Sequence, residues 1–240
     1  MTQQLTHAGH AGWPAALLAC ALPFAACSND AALAVDDLPL TVLPVTKPAP
    51  RLALMLSGDG GWAGLDKELG AEMVKRGIPV VGVSTLKYFW KERTPEETTA
   101  DMARVLRKYL ALWHAREIVL IGYSFGADVM PFIVNRLPAD LRARIVTANL
   151  LGLAQKAGWE VHVAGWVGGT DDRARPIAPE LDKLGAVRLL CLYGKGDDES
   201  AESCKVFARP QMTVAEIGDG HHFGYLYGEL ADRIVAFADH

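Results

Sequence analysis

From Arg51 onward, short uninterrupted apolar runs alternate with longer segments in which apolar residues recur every three or four positions. The short runs predict strands over residues 52–57, 79–84, 117–121, 145–150, 187–193 and 213–217. Most lack polar alternation, as strands buried on both faces should. The clearest helix starts at Thr94-Pro95-Glu96-Glu97, where Thr94 is a capping residue, Pro95 suits the first helical position and Glu97 completes a capping box. Met102, Val105, Leu106, Tyr109, Leu110 and Trp113 then share one helical face. A last helix is predicted over residues 225–238. This alternation predicts an α/β fold, a mostly parallel central sheet flanked by helices, without a large lid domain.

The first part of the chain has a different pattern. Residues 13–27 form an apolar run, shorter than the roughly 20 residues that span a bilayer, and it reads as the core of an export signal. Ala32-Leu33-Ala34 has the small-x-small form of a cleavage site, and Phe24-Ala25-Ala26-Cys27 is an imperfect lipoprotein box. The preceding segment carries His7 and His10 but neither Lys nor Arg, so an apolar extension or a misassigned start is the competing reading. The expectation is a leader over residues 1–34 and one domain over 35–240, in a monomer. That domain is expected in the periplasm, either soluble or lipid-anchored through Cys27.

Composition narrows the function classes. With 24 Lys+Arg against 28 Asp+Glu and a formal charge of −4, the chain has no basic field to hold a nucleic-acid backbone. Of four cysteines, Cys20 and Cys27 fall in the leader, which leaves Cys191 and Cys204 as an even pair. In an oxidising compartment such a pair closes a short loop; otherwise Cys191, in an apolar run, is an ordinary buried thiol. Neither has a second ligand at metal-site spacing, and no metal or cofactor is expected.

In a mostly parallel sheet, ligands bind at the edge where the strands end. Four predicted loops reach that edge: residues 57–64, 122–126, 194–199 and 218–224. Gly122-Tyr-Ser124-Phe-Gly126 follows an apolar strand and precedes a helix, which is the setting of a nucleophile elbow. Serine needs a base, and the base needs an acceptor to orient it. In hydrolases with this elbow the acid follows a later strand and the histidine comes last. Asp197 or Asp198 supplies the acid, Asp197 being preferred. His221 or His222 supplies the base, His221 being preferred as the first histidine after the Gly-rich turn. For the developing oxyanion, one donor is the backbone N–H of Phe125, and the loop Ser57-Gly58-Asp59-Gly60-Gly61-Trp62 offers a second at Asp59 or Gly60. That loop lacks the Lys-Ser/Thr pair of a phosphate-binding P-loop. His114 reads as a helix-end residue and His162 as a strand residue.

Several segments taken together resemble one family: LSGDGGW (56–62), YFW (88–90) followed by RTPE (93–96), GYSFGAD (122–128), Gly165-Trp166, CLYG (191–194) and HHFG (221–224). As a set they are similar to the VirJ/AcvB family of bacterial virulence proteins, and the likeness covers residues 38–240. The resemblance implies an exported α/β-hydrolase with Ser124 as nucleophile, and it supports a Cys191–Cys204 pair. It further implies a substrate class, aminoacyl-phosphatidylglycerol, from which lysine or alanine is removed at the membrane surface. A cationic headgroup favours an acidic mouth, for which Asp59, Asp171, Asp172, Asp198 and Glu199 are candidates. Tyr88, Phe89 and Trp90 either face lipid or pack in the core. The alternative functions are a binding protein on a hydrolase scaffold that assists secretion-system components, and a general carboxylesterase.

Overall fold

The computed structural model describes residues 1–2, 34–161 and 173–240. Its strands are β1 (Leu40–Leu43), β2 (Arg51–Leu56), β3 (Val80–Val83), β4 (Glu117–Tyr123), β5 (Ile145–Leu151), β6 (Lys156–Ala157), β7 (Arg175–Pro176), β8 (Leu189–Lys195) and β9 (Met212–Asp219). Seven of them form one sheet in the order β1-β3-β2-β4-β5-β8-β9, parallel throughout except for β1, which runs antiparallel to β3. β6 and β7 form a separate two-residue ladder. The helices are α1 (Leu65–Lys75), α2 (Thr85–Tyr88), α3 (Pro95–Trp113), α4 (Phe125–Arg136), α5 (Ala139–Arg142), α6 (Ala178–Asp182), α7 (Asp198–Val206) and α8 (Tyr227–Asp239).

Alternation along each central strand divides the core into two layers. Leu52, Leu54 and Leu56 of β2, with Ile118 and Leu120 of β4, pack on one face against Met102 and Leu106 of α3 and Met130 and Ile133 of α4. Ala53 and Met55, with Val119 and Ile121, pack on the other against Leu69 and Met73 of α1 and Leu230 and Ile234 of α8. Both faces of these strands are therefore dry, which is why the sequence shows continuous apolar runs. The capping box at the start of α3 is formed in full, the Thr94 hydroxyl accepting from Glu97 N–H at 3.1 Å and Glu97 Oε2 accepting from Thr94 N–H at 2.9 Å. His114 ends that helix in the left-handed region, at φ 53°.

Three features depart from the sequence reading. β1 was not among the expected strands; it has four residues bracketed by Pro39 and Pro44, and its position is fixed by pairing Leu40–Leu43 against β3. The final helix begins at Tyr227, because residues Phe223–Tyr225 form a single 3-10 turn in which Phe223, Gly224 and Tyr225 all have positive φ. β6 and β7, of two residues each, are too short to leave a periodic signal of their own. Cys191 on β8 and Cys204 on α7 form a disulfide with Cα atoms 5.7 Å apart, pinning that helix to the sheet. Among the described residues no helix is long and apolar enough to cross a membrane.

Candidate active site

Chain direction reverses at the middle of the sheet. β2 leads through α1 to β3 on one side, whereas β4 leads through α4 to β5 on the other, so the loops leaving β2 and β4 diverge and open a crevice between them. Ser124 stands at the β4 side of this crevice as the N-cap of α4, with φ 51° and ψ −120°. Non-glycine residues avoid that conformation, and here it is held by Ser124 N–H donating to Leu151 C=O at 2.8 Å and by Ala127 N–H donating to Ser124 C=O at 2.7 Å. The flanking glycines have a steric cause. A Cβ on Gly122 would lie 2.5 Å from Gly126 O, and one on Gly126 only 2.3 Å from Leu56 O. Strand and helix can approach this closely only without side chains at those two positions.

The loops after β8 and β9 bring the other two groups in. His221 Nδ1 lies 2.8 Å from Asp197 Oδ2. Asp197 is also the N-cap of α7, its Oδ1 accepting from Ser200 N–H. Burial pushes the Asp197 carboxyl up, but the hydrogen bonds from His221 and Ser200 outweigh it and hold the group below the usual carboxylate range. The imidazole lies over Gly152 at the end of β5, where a Cβ would come within 2.7 Å of Cε1. His222 turns elsewhere: its Nδ1 lies 3.0 Å from the Tyr123 hydroxyl. Asp198 is exposed in the first turn of α7.

The loop after β2 forms the opposite wall. Gly58 C=O accepts from the Thr85 hydroxyl and from Gly61 N–H at 3.0 Å, and Ser57 Oγ accepts from Thr85 N–H at 3.0 Å. This clasp fixes the backbone of the segment offered as an oxyanion donor. Gly58, Asp59, Gly60 and Gly61 share a cavity of about 260 Å³ with Tyr123, Ser124, His221 and His222. Phe125 N–H begins α4 directly after the serine, and its ring packs 4.9 Å from that of Phe89. The structure thus brings Ser124, His221 and the Asp59–Gly60 loop to one cavity, with Asp197 behind the histidine.

Two further carboxylates, Asp66 buried and Asp128 half-buried, are not singled out by the sequence reading. Asp66, in the first turn of α1, also lines the cavity and is 3% exposed, and its Oδ1 has no hydrogen-bond partner among the described residues. Burial pushes its carboxyl up to about 7 against the opposing pull of the Ala63, Asp66 and Gly58 amides. Asp128 accepts Ala154 N–H at 2.8 Å, and burial likewise raises it well above the ordinary range. Neither has a sequence signal beyond lying near a motif, since an acid in a helix's first turn is the commonest surface placement. Of the predicted aromatics, Tyr88 and Phe89 are core residues, the Tyr88 hydroxyl donating to Asp101 at 2.6 Å, and Trp90 is exposed. Residues 3–33 of the expected leader, Cys20 and Cys27 among them, and His162, Gly165, Trp166, Asp171 and Asp172 lie outside the described residues.

With the geometry in place, comparison with known proteins gives a family and a fold. The family model described as bacterial virulence protein (VirJ) matches residues 50–240. Among curated proteins none matches the chain significantly in sequence. Solved structures match closely in fold. Est1E from Butyrivibrio proteoclasticus superposes with a TM-score of 0.61 at 13% identity, over 84% of this chain and 94% of that one. A lipase-esterase related protein from Clostridium acetobutylicum gives 0.60 at 13%, over 83% and 99%. A membrane phospholipase A, described as a bacterial virulence factor, gives 0.60 at 15%, over 85% and 84%. At such identities the likeness establishes the α/β-hydrolase fold and leaves the chemistry to the site.

Proposed function

This chain belongs to the VirJ family of bacterial virulence proteins, and from that premise we propose that it is a periplasmic serine hydrolase that cleaves the aminoacyl ester of aminoacyl-phosphatidylglycerol. One observation carries the reading: a serine in a strained strand-to-helix turn shares a cavity with a histidine whose far nitrogen is held by a carboxylate.

In this reaction His221 Nε2 takes the Ser124 proton as Oγ attacks the ester carbonyl. The Phe125 N–H and an N–H of the Asp59–Gly60 loop donate hydrogen bonds to the oxyanion. Collapse breaks the bond to the lipid alcohol, which leaves as phosphatidylglycerol with the proton from His221. Water, deprotonated by His221, then attacks the acyl-serine, and the amino acid leaves with Ser124 restored. Asp197 holds the ring orientation and the imidazolium that forms. The α-ammonium of the acyl group is matched by Asp59 and Asp66, which both line the cavity. The Cys191–Cys204 disulfide favours an oxidising compartment.

The test is release of amino acid from vesicles containing lysyl- or alanyl-phosphatidylglycerol, followed by mass spectrometry of both products. Ser124→Ala should reduce release by three orders of magnitude or more with the fold retained. Undiminished release by that variant would overturn the assignment. Faster turnover of uncharged acyl esters would instead make the protein a general carboxylesterase.

A further inference from the structure

A second, larger depression adjoins the first. It encloses about 930 Å³, near the top of the roughly 300–1,000 Å³ range of small-molecule pockets, and its walls are mainly apolar. Leu40 and Leu43 of β1, Leu86 of α2 and Trp62 form its sides, and Lys67 and Lys87 stand at it. Gly60 and Gly61 line both cavities, which meet at this part of the loop. Neither lysine forms an ion pair with a described residue, and both are exposed.

The wall is built for this shape. The Trp62 ring lies against Gly82 of β3, where a Cβ would come within 2.1 Å of Cζ3, and against Gly70 of α1, where it would come within 3.2 Å of Cζ2. Gly82 sits in a regular strand at which nearly any residue satisfies the backbone, so what its missing side chain provides is the slot for the indole. Trp62 ends the SGDGGW segment, of which Gly58, Asp59, Gly60 and Gly61 line the Ser124 cavity.

We propose that this groove binds the phospholipid half of the substrate, one acyl chain lying along Leu40, Leu43, Trp62 and Leu86 while the phosphodiester meets Lys67 and Lys87. The inference rests on the reading of Ser124 as an ester-cleaving nucleophile only for its orientation, in which the scissile bond lies at the Gly60–Gly61 ridge. Charge then divides across that ridge. The cationic acyl half faces Asp59 and Asp66, and the anionic amphiphilic alcohol faces two exposed lysines that pair with no described residue and an apolar trough. A chain with net charge −4 has no general attraction for an anionic lipid, so a local pair of exposed cations is what such a ligand needs.

Binding is measured by calorimetry on the intact protein with monomeric dihexanoyl-phosphatidylglycerol, which carries no aminoacyl ester and is not consumed. Expected are saturable binding at least tenfold tighter than for dihexanoyl-phosphatidylcholine, and about tenfold weakening when the chains are shortened by two methylenes. The double variant K67E/K87E, altered only at exposed positions, should lose at least tenfold in affinity. It should still hydrolyse a soluble alanine aryl ester, which reaches only the Ser124 cavity, at the parent rate. Equal affinity for the two headgroups, no dependence on chain length, inorganic phosphate binding as tightly as the lipid, or unchanged affinity in the double variant would each overturn the proposal. Lipid binding without hydrolysis of either ester would retain the groove and sink the catalytic reading. Turnover of the soluble ester without lipid binding would do the reverse.

Discussion

Asp197 grips two elements at once: Oδ2 lies 2.8 Å from His221 Nδ1, and Oδ1 caps α7 by accepting Ser200 N–H. The two roles separate on substitution. Asparagine caps a helix about as well as aspartate but presents an amide that favours the wrong imidazole tautomer. Asp197→Asn should therefore lower kcat by about three to four orders of magnitude while thermal unfolding stays within a few degrees of the parent. Asp198→Asn, at an exposed first-turn position, should change kcat less than threefold. Equal kinetic effects of the two variants would remove Asp197 from the site.

The two adjacent histidines are distinguished by their partners. His221 Nδ1 faces the Asp197 carboxylate, which holds the ring in place, whereas His222 Nδ1 faces the Tyr123 hydroxyl. Burial raises the Tyr123 hydroxyl further above its ordinary value. His221→Ala should accordingly abolish labelling of Ser124 by a serine-directed phosphonate, and His222→Ala should slow it by no more than about tenfold, the loss expected from one neutral hydrogen bond. Mass spectrometry of the labelled protein reads both.

How far the sequence spoke for the structure depends on the range of the interaction involved. The α3 capping box and the Gly122-x-Ser124-x-Gly126 turn are local, and their residues carry the whole geometric requirement within a few positions. Strand existence was legible because burial on both faces leaves a continuous apolar run. β1 was not, since an edge strand of four residues is defined by its partner β3 rather than by its own pattern. The pairing of His221 with Asp197 rather than Asp198, and of His222 with Tyr123, arises where loops from β8, β9 and β4 converge, and neighbouring residues of one type give no local sign of which turns inward. Asp66 is the strongest example. Its burial follows from the Gly58–Gly61 loop folding over the first turn of α1, a contact with no periodicity to announce it.

The disulfide links residues 13 apart in sequence and fastens α7, hence the Asp197 cap, to β8. Closing a loop of this size stabilises the native state by about 3 kcal/mol through the unfolded chain. The variant C191A/C204A should unfold at correspondingly lower denaturant concentration with an unchanged folded-state spectrum. Because α7 carries Asp197, kcat should also fall modestly, by several-fold, while KM for a soluble ester holds. An unfolding midpoint unmoved by the double substitution would show that the bond contributes nothing to the folded state.

Asp66 carries opposite expectations for stability and for binding. Its carboxyl sits at about 7 in the fold against 3.8 in the unfolded chain, so the native state holds the proton more tightly and loses stability as pH rises between those values. Above pH 7 the buried charge costs on the order of 4 kcal/mol, and none of this cost is present below about pH 3.8. Asp66→Asn should thus stabilise the protein at pH 8, leave it nearly unchanged at pH 4, and flatten the slope between, as read from urea unfolding across that range. A cationic acyl group would supply a counter-charge: an ammonium next to Oδ1, which has no hydrogen-bond partner among the described residues, would favour the ionised carboxylate, and binding would recover part of what folding gives up. The same substitution should therefore raise KM for alanine aryl ester by tenfold or more and leave that for the corresponding acetyl ester within twofold. A protein stabilised at pH 8 with both KM values unmoved would assign Asp66 to the strain of the loop alone and leave the ammonium to Asp59.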